Sequence, residues 1–320
     1  MKIISFITIL ILFDFYPHNI DTIAQSGGRY TIVIHGGAGY ISPEISKEVK
    51  NAYLNSLKVA LKLGKQILSE GRTSLDAVEQ VIRFFENDSL FNAGKGAVFT
   101  SIGTHELDAS IMNGIDLSTG AVAGVKTIKN PISLARLVMD QTPHVLFSGQ
   151  GADNLGKKFE VEIVENHYFD IHRRYQQWKL KQQEDIKGTV GCVAIDNYGN
   201  IAAGTSTGGL TGKWPGRVGD SPLINAGTYA DNNTCGVSGT GQGELFIRNT
   251  VAYNISALMK YKNYSLRESA QEIVFKVLPE GSGGIIAVDK EGNYALTFNT
   301  ESMLRGVANS DGKFEVSIWK

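Results

Sequence analysis

The chain has 320 residues, 42% of them hydrophobic and 20% charged, with a formal net charge of −1. That composition suits one large globular domain or two small ones with ample core. It excludes a basic nucleic-acid footprint, and the six histidines show no metal-ligand spacing.

Lys2 precedes an apolar stretch from Ile3 to Phe13, which at 11 residues is too short to span a bilayer but fits the core of a leader. Thr22-Ile23-Ala24 offers a small-residue exit, so residues 1–24 are expected to be a signal peptide. Export to a periplasmic or extracellular compartment follows, with no membrane contact once the leader is gone. Tyr30–Ile34 then reads as an apolar strand running into His35-Gly36-Gly37-Ala38-Gly39. A helix is expected from about Ser46 to Leu68, with Val49, Tyr53, Leu57, Ala60, Leu61 and Leu68 on one face. Thr73-Ser74-Leu75-Asp76 reads as a capping box opening the next helix. Leu107–Met112 and Ala121–Val125 look like paired strands, and Asn130-Pro131 caps a third helix.

Gln150 to Lys187 is rich in Lys, Glu, Gln and Arg and has little periodicity. It reads as a solvated connector with at most one loose helix around Tyr168–Leu180. Beyond it, the pattern GxxAxDxxGNxA occurs at Gly191–Ala202 and again at Gly284–Ala295, 93 residues later. Each copy predicts a strand, a polar turn and a second strand. Helices are expected from about Glu244 to Lys260 and from a capping box at Ser265–Glu268. Strands joined by hairpins, with helices flanking them, imply antiparallel sheets with helices outside. Cys192 and Cys235 are the only cysteines; buried free thiols are the expectation, with a disulfide between them left open.

Thr189 opens the strand of the first hairpin, directly after Gly188. A cut between them would expose a threonine carrying both a hydroxyl and a free amine, whose pKa of about 7.7–8.0 lets it serve as that hydroxyl's own base. An arbitrary threonine at this place would be one β-branched strand residue. Three clusters argue otherwise. Antiparallel pairing sets Thr207, at the end of the second strand, beside Thr189. Arg217 and Asp220, between glycines and prolines, suit a zwitterion: the guanidinium fork grips a carboxylate and the Asp accepts from an ammonium. An ion pair within that loop is the plainer alternative. Ser238-Gly239-Thr240-Gly241-Gln242-Gly243-Glu244 brings backbone N–H groups and a helix N-terminus to one place, which suits an oxyanion better than a phosphate, since the Lys-Ser/Thr end of a phosphate loop is missing.

TVGCVA at Thr189, GTSTGG at Gly204, PGRVGDSP at Pro215 and GTGQGE at Gly239 stand in this order. Ahead of them come HGGAG at His35, FNAGKGAVFT at Phe91, HELDASIMNG at His105 and GAVAGV at Gly120. Together these motifs resemble the N-terminal-nucleophile asparaginases of plant type, also called isoaspartyl peptidases, from about Tyr30 to Arg305. The resemblance implies an α+β fold, a four-layer αββα sandwich of two antiparallel sheets. It implies self-cleavage at Gly188–Thr189 into an α subunit (25–188, ending in a flexible linker over 155–187) and a β subunit (189–320). Both would form one globular domain and associate as (αβ)2. Thr189 would be the nucleophile and Thr207 would orient it, with Thr240 and Gly241 forming the oxyanion hole. Arg217 and Asp220 would hold the aspartyl α-carboxylate and α-amine, Gly243 would line the pocket, and Asn92 would reach in from the α subunit. The implied reaction is hydrolysis of the side-chain amide of asparagine and of β-aspartyl dipeptides, the latter being the better substrates. No cofactor is required, and some relatives hold a structural sodium through backbone carbonyls in the loop before Asn92. Glycosylasparaginases are the nearest rival, disfavoured because their scissile bond is typically Asp-Thr. A non-catalytic exported amino-acid-binding protein is the other alternative, and it would have no need of three converging hydroxyls.

Overall fold

The computed structural model describes residues 28–180 and 186–320, so the expected signal peptide lies outside the described residues. Two sheets pack face to face with helices on both outer surfaces, the αββα order expected. The first half supplies β1 (Thr31–Gly39), α1 (Lys47–Ser69), α2 (Ser74–Asn87), β2 (Leu107–Asn113), β3 (Thr119–Val125), α3 (Pro131–Gln141), β4 (Leu146–Ser148), α4 (Gly149–Lys158) and α5 (His172–Lys179). The second supplies β5 (Ile186–Lys187), β6 (Val190–Ile195), β7 (Ile201–Thr207), β8 (Thr228–Ala230), β9 (Cys235–Gly241), α6 (Gly243–Arg248), α7 (Val251–Lys262), α8 (Leu266–Gln271), β10 (Gly283–Asp289), β11 (Tyr294–Phe298), β12 (Ser302–Asn309) and β13 (Phe314–Trp319).

The large sheet runs β13-β12-β1-β6-β7-β2-β3-β4, with β5 beside β1, and the small sheet runs β11-β10-β9-β8. One pairing departs from the antiparallel expectation: β4 lies parallel to β3, because the α3 crossover returns the chain in the same direction. The alternation of β1 shows how the layers form. Ile32 and Ile34 point to α1 and α2, packing with Leu57, Leu61, Val78, Ile82 and Phe85, while Val33 points to the small sheet and packs with Val237, Ile285 and Val307. Cys192 belongs to the first core and Cys235 to the second; both are buried free thiols.

The two echo hairpins are built alike but lie in different sheets, β6–β7 at the centre of the large one and β10–β11 at the edge of the small one. In each, one Asp carboxylate caps its turn: Asp196 accepts from the Tyr198 and Asn200 amides, and Asp289 from Glu291 and Asn293. Ser46 and Thr73 cap α1 and α2 through their hydroxyls, and Ser265–Glu268 forms a full capping box on α8. The helix expected over 244–260 is two helices, broken where Thr250 adopts a left-handed backbone with φ of 46°.

The expected connector departs most from its reading. Its described part, 150–180, folds onto the first half. Phe169 is fully buried, Asp153 caps the Lys126 and Thr127 amides, Arg174 Nε donates to Gly96 O at 2.8 Å, and Trp178 stacks on Phe99 at 5.5 Å. The contacts of Phe169, Arg174 and Trp178 follow the irregular 89–105 loop beneath, and α5 falls within the stretch where one loose helix was expected. Of the residues expected to be flexible, only 181–185 lie outside the described chain.

Candidate active site

Pairing of β6 with β7 sets Val190 opposite Ser206, which brings Thr189, 6% exposed, beside Thr207. Thr189 Oγ1 donates to Thr207 Oγ1 at 3.2 Å. Thr207 Oγ1 donates in turn to the Gly188 carbonyl at 2.9 Å and accepts from the Gly209 amide at 3.0 Å. Asn92 Nδ2 donates to the same Gly188 carbonyl at 2.9 Å and to Gly209 O at 2.7 Å, while its Oδ1 accepts from Val98 N. The carbonyl that precedes Thr189 therefore receives two side-chain donors, the arrangement that stabilises charge developing on an attacked carbonyl oxygen. Gly188 is required by this geometry, since a Cβ there would collide with Cβ of Asn92. On the other side of Thr189, His35 Nδ1 donates to its carbonyl at 3.0 Å.

A narrow cleft opens from this point, lined by Gly188, Thr189, Thr207, Arg217, Asp220 and Gly241. Arg217 and Asp220 flank Gly243: a Cβ there would lie 3.0 Å from both Arg217 Nη2 and Asp220 Oδ1. They do not form the ion pair that was the plainer alternative. Arg217 donates through Nε and Nη2 to Glu244 Oε1, at 3.0 and 2.9 Å. Asp220 is buried and its Oδ2 has no hydrogen-bond partner among the described residues. Burial pushes its carboxyl up to about 7, against the pull of Arg217. The site thus holds a desolvated acceptor in want of a cation, as an ammonium-binding group should. The loop carrying Arg217 is tied down by Lys213, whose Nζ donates to Glu106 O at 2.8 Å and lies 3.8 Å from the buried Asp108 carboxylate. Glu106 Oε2 accepts from Gly216 N at 2.7 Å. The HELDA motif is therefore the foundation of the substrate loop.

Gly241 and Gly243 line the cleft, but Thr240 stands behind them, fully buried, with its Oγ1 accepting from Ala38 N at 3.2 Å. Sequence reasoning singled out neither His35, Ser221 nor Glu244. Gly191 held a signal for the first: a Cβ there would collide with both His35 and Ser238 Oγ, so a glycine inside a strand marks a close approach. A larger groove of about 990 Å³ lies between α2, α3 and the turn after α4. Its lining is charged and largely self-paired, as in Arg136–Asp140, and it contains none of the motif residues.

The sequence profile of a family described as Asparaginase matches residues 28–318. The isoaspartyl peptidase of Escherichia coli is 48% identical over 296 residues, covering 87% of this chain and 92% of that protein. The isoaspartyl peptidase of Salmonella typhimurium is 47% identical, covering 87% and 94%. The isoaspartyl peptidase/L-asparaginase of Bos taurus is 40% identical, covering 90% and 95%.

Proposed function

The chain belongs to the Asparaginase family, and on that premise we propose that it is a self-processing threonine hydrolase that cleaves the β-aspartyl linkage of isoaspartyl dipeptides and of asparagine. The observation that carries this reading is the hydrogen-bonded path from Thr189 Oγ1 through Thr207 to the Gly188 carbonyl, with Asn92 as second donor to that oxygen. Thr189 Oγ1 attacks the Gly188 carbonyl carbon, and Thr207 and Asn92 stabilise the oxyanion. Collapse breaks the Gly188–Thr189 C–N bond, the nitrogen taking up the proton that Oγ1 gives up, and leaves an ester on Oγ1 and a free amine. Water hydrolyses the ester, leaving a carboxylate at Gly188 and Thr189 as an N-terminus.

The amine then takes the proton from Oγ1 as this oxygen attacks the substrate's side-chain carbonyl. Arg217, released from Glu244, holds the α-carboxylate, and Asp220 accepts from the α-ammonium. The Gly241 N–H serves the developing oxyanion, and Thr240 joins it only by turning its hydroxyl from the Ala38 amide. Ammonia or an amino acid leaves, and water hydrolyses the acyl-enzyme to aspartate. Glycosylated asparagine gains no observation in its favour, since Gly rather than Asp precedes Thr189.

Three further parts of the reading are proposals of the same kind. The 25–188 and 189–320 chains form an (αβ)2 assembly. The leader at 1–24 directs export. A structural sodium, as the resemblance implies for the loop before Asn92, would have to share that loop with Arg173, whose guanidinium takes the Ser89 and Leu90 carbonyls.

Intact-mass analysis with N-terminal sequencing of aged protein, beside a β-aspartyl dipeptide assay, tests the whole. Two chains, one beginning Thr189-Val190-Gly191, together with dipeptide hydrolysis, support the reading. A persistent single chain with no hydrolysis overturns it.

A further inference from the structure

At the cleft end of the interface between the two sheets, the apolar packing gives way to hydroxyls. Ser110 on β2, Thr205 on β7, Thr228 on β8 and Ser238 on β9 are all fully buried, as is His35 on β1. They form one continuous chain. His35 Nδ1 meets Thr189 O at 3.0 Å and its Nε2 meets Ser238 Oγ at 3.1 Å. Ser238 meets Thr205 at 2.7 Å, Thr205 meets Thr228 at 2.6 Å, and Ser110 meets Thr228 at 2.8 Å. Ser110 Oγ finally donates to the Ser221 carbonyl at 2.6 Å. One end of the chain is the carbonyl of the nucleophile residue; the other is the residue after Asp220, itself in the cleft lining.

We propose that this buried chain, His35–Ser238–Thr205–Thr228–Ser110, is a positioning element that holds the nucleophile and the substrate-binding turn in register as one unit. The proposal rests on the function given above. Both end groups are carbonyls and can only accept. With His35 neutral, as its burial requires, one ring N–H and four hydroxyls supply five hydrogens to the six contacts just described, so the single Ser110 hydrogen is shared between Thr228 Oγ1 and the Ser221 carbonyl. Every hydroxyl is committed to the chain, apart from the longer approach of Thr205 to Gly227 O at 3.2 Å. In so buried an interface, losing one hydroxyl strands its neighbours and lets both ends drift. The Thr228 hydroxyl is bonded to Thr205 and Ser110 rather than to Thr189 or Asp220, so an effect of that hydroxyl on turnover would have to travel through the chain.

The test compares Thr228→Val, which keeps the shape and removes the hydroxyl, with Thr228→Ser, which keeps the hydroxyl. Thr228→Val is expected to raise KM for a β-aspartyl dipeptide by about tenfold, with kcat changed less than about threefold, and Thr228→Ser to restore KM. Ser238→Ala and Ser110→Ala, which lie three links apart, are expected to combine non-additively, the double variant losing about as much kcat/KM as the worse single. A wild-type KM in folded Thr228→Val, or strict additivity of the two alanine variants, overturns the proposal. If Thr228→Val does not fold, the alanine pair decides alone. A wild-type protein that neither cuts itself nor turns over dipeptide would instead sink the functional reading.

Discussion

Asn92 Nδ2 lies 2.9 Å from the Gly188 carbonyl oxygen, across 96 residues of chain. This bond brings the loop around Asn92 to the peptide bond proposed to be cut. Asn92→Ala removes one of the two side-chain donors to that oxygen, and self-cleavage should slow by roughly 10²–10³-fold. Thr189→Ala should stay a single chain with no activity. Time-resolved gels of freshly purified protein check both, and wild-type cutting by Asn92→Ala would show that its amide only braces Gly209.

Arg217→Lys keeps the charge but loses the fork that now grips Glu244 through Nε and Nη2. Self-cleavage makes no use of a substrate carboxylate, so it should proceed at the wild-type rate while KM rises by about 10–100-fold. Steady-state kinetics on fully cut protein separate the two effects. A parallel loss of processing would make Arg217 a structural support of its loop.

The Asp220 carboxyl, pushed up to about 7 by burial, must ionise before it can hold an ammonium. Below that pH the group is neutral, so kcat/KM should climb as pH rises through about 7. At saturation the bound cation keeps Asp220 ionised, and kcat should show only the limb of the Thr189 amine, near 7.7–8.0. The same shift bears on stability with a definite sign. Because the folded pKa is raised, the group's contribution is fully present below the ordinary carboxylate range and is lost as pH rises through about 7. Thermal unfolding of Asp220→Asn should therefore gain on the wild type most above pH 7. A kcat/KM profile with a single limb matching that of kcat would remove Asp220 from ammonium binding.

Phe169 is fully buried within a segment whose composition reads as a connector. Phe169→Ala should cost about 3–5 kcal/mol of stability, as for a core phenylalanine. Denaturant unfolding of the uncut Thr189→Ala background gives the number free of processing. A loss below about 1 kcal/mol would return the segment to the solvent.

The chemistry was legible because its residues lie in short motifs with local consequences. Thr189 and Thr207 could be placed side by side from hairpin pairing alone, and Arg217 with Asp220 from a loop only four residues long. The helix caps at Ser46, Thr73 and Ser265 were likewise local. The break at Thr250 was not, since no glycine or proline announces its left-handed backbone.

By itself, then, the sequence placed the candidate nucleophile Thr189 beside Thr207 and showed those strands and helices whose pairing or periodicity is local, among them β1, α1, α2 and the two echo hairpins. Tertiary structure alone decided that Glu244 holds Arg217, that Thr240 turns to Ala38, that 150–180 packs over the Asn92 loop, and that His35 begins a buried path to Ser221. Each of these joins different elements of the fold, where the partner is chosen by how two sheets and their loops meet, and side-chain spacing along the chain holds no record of that meeting.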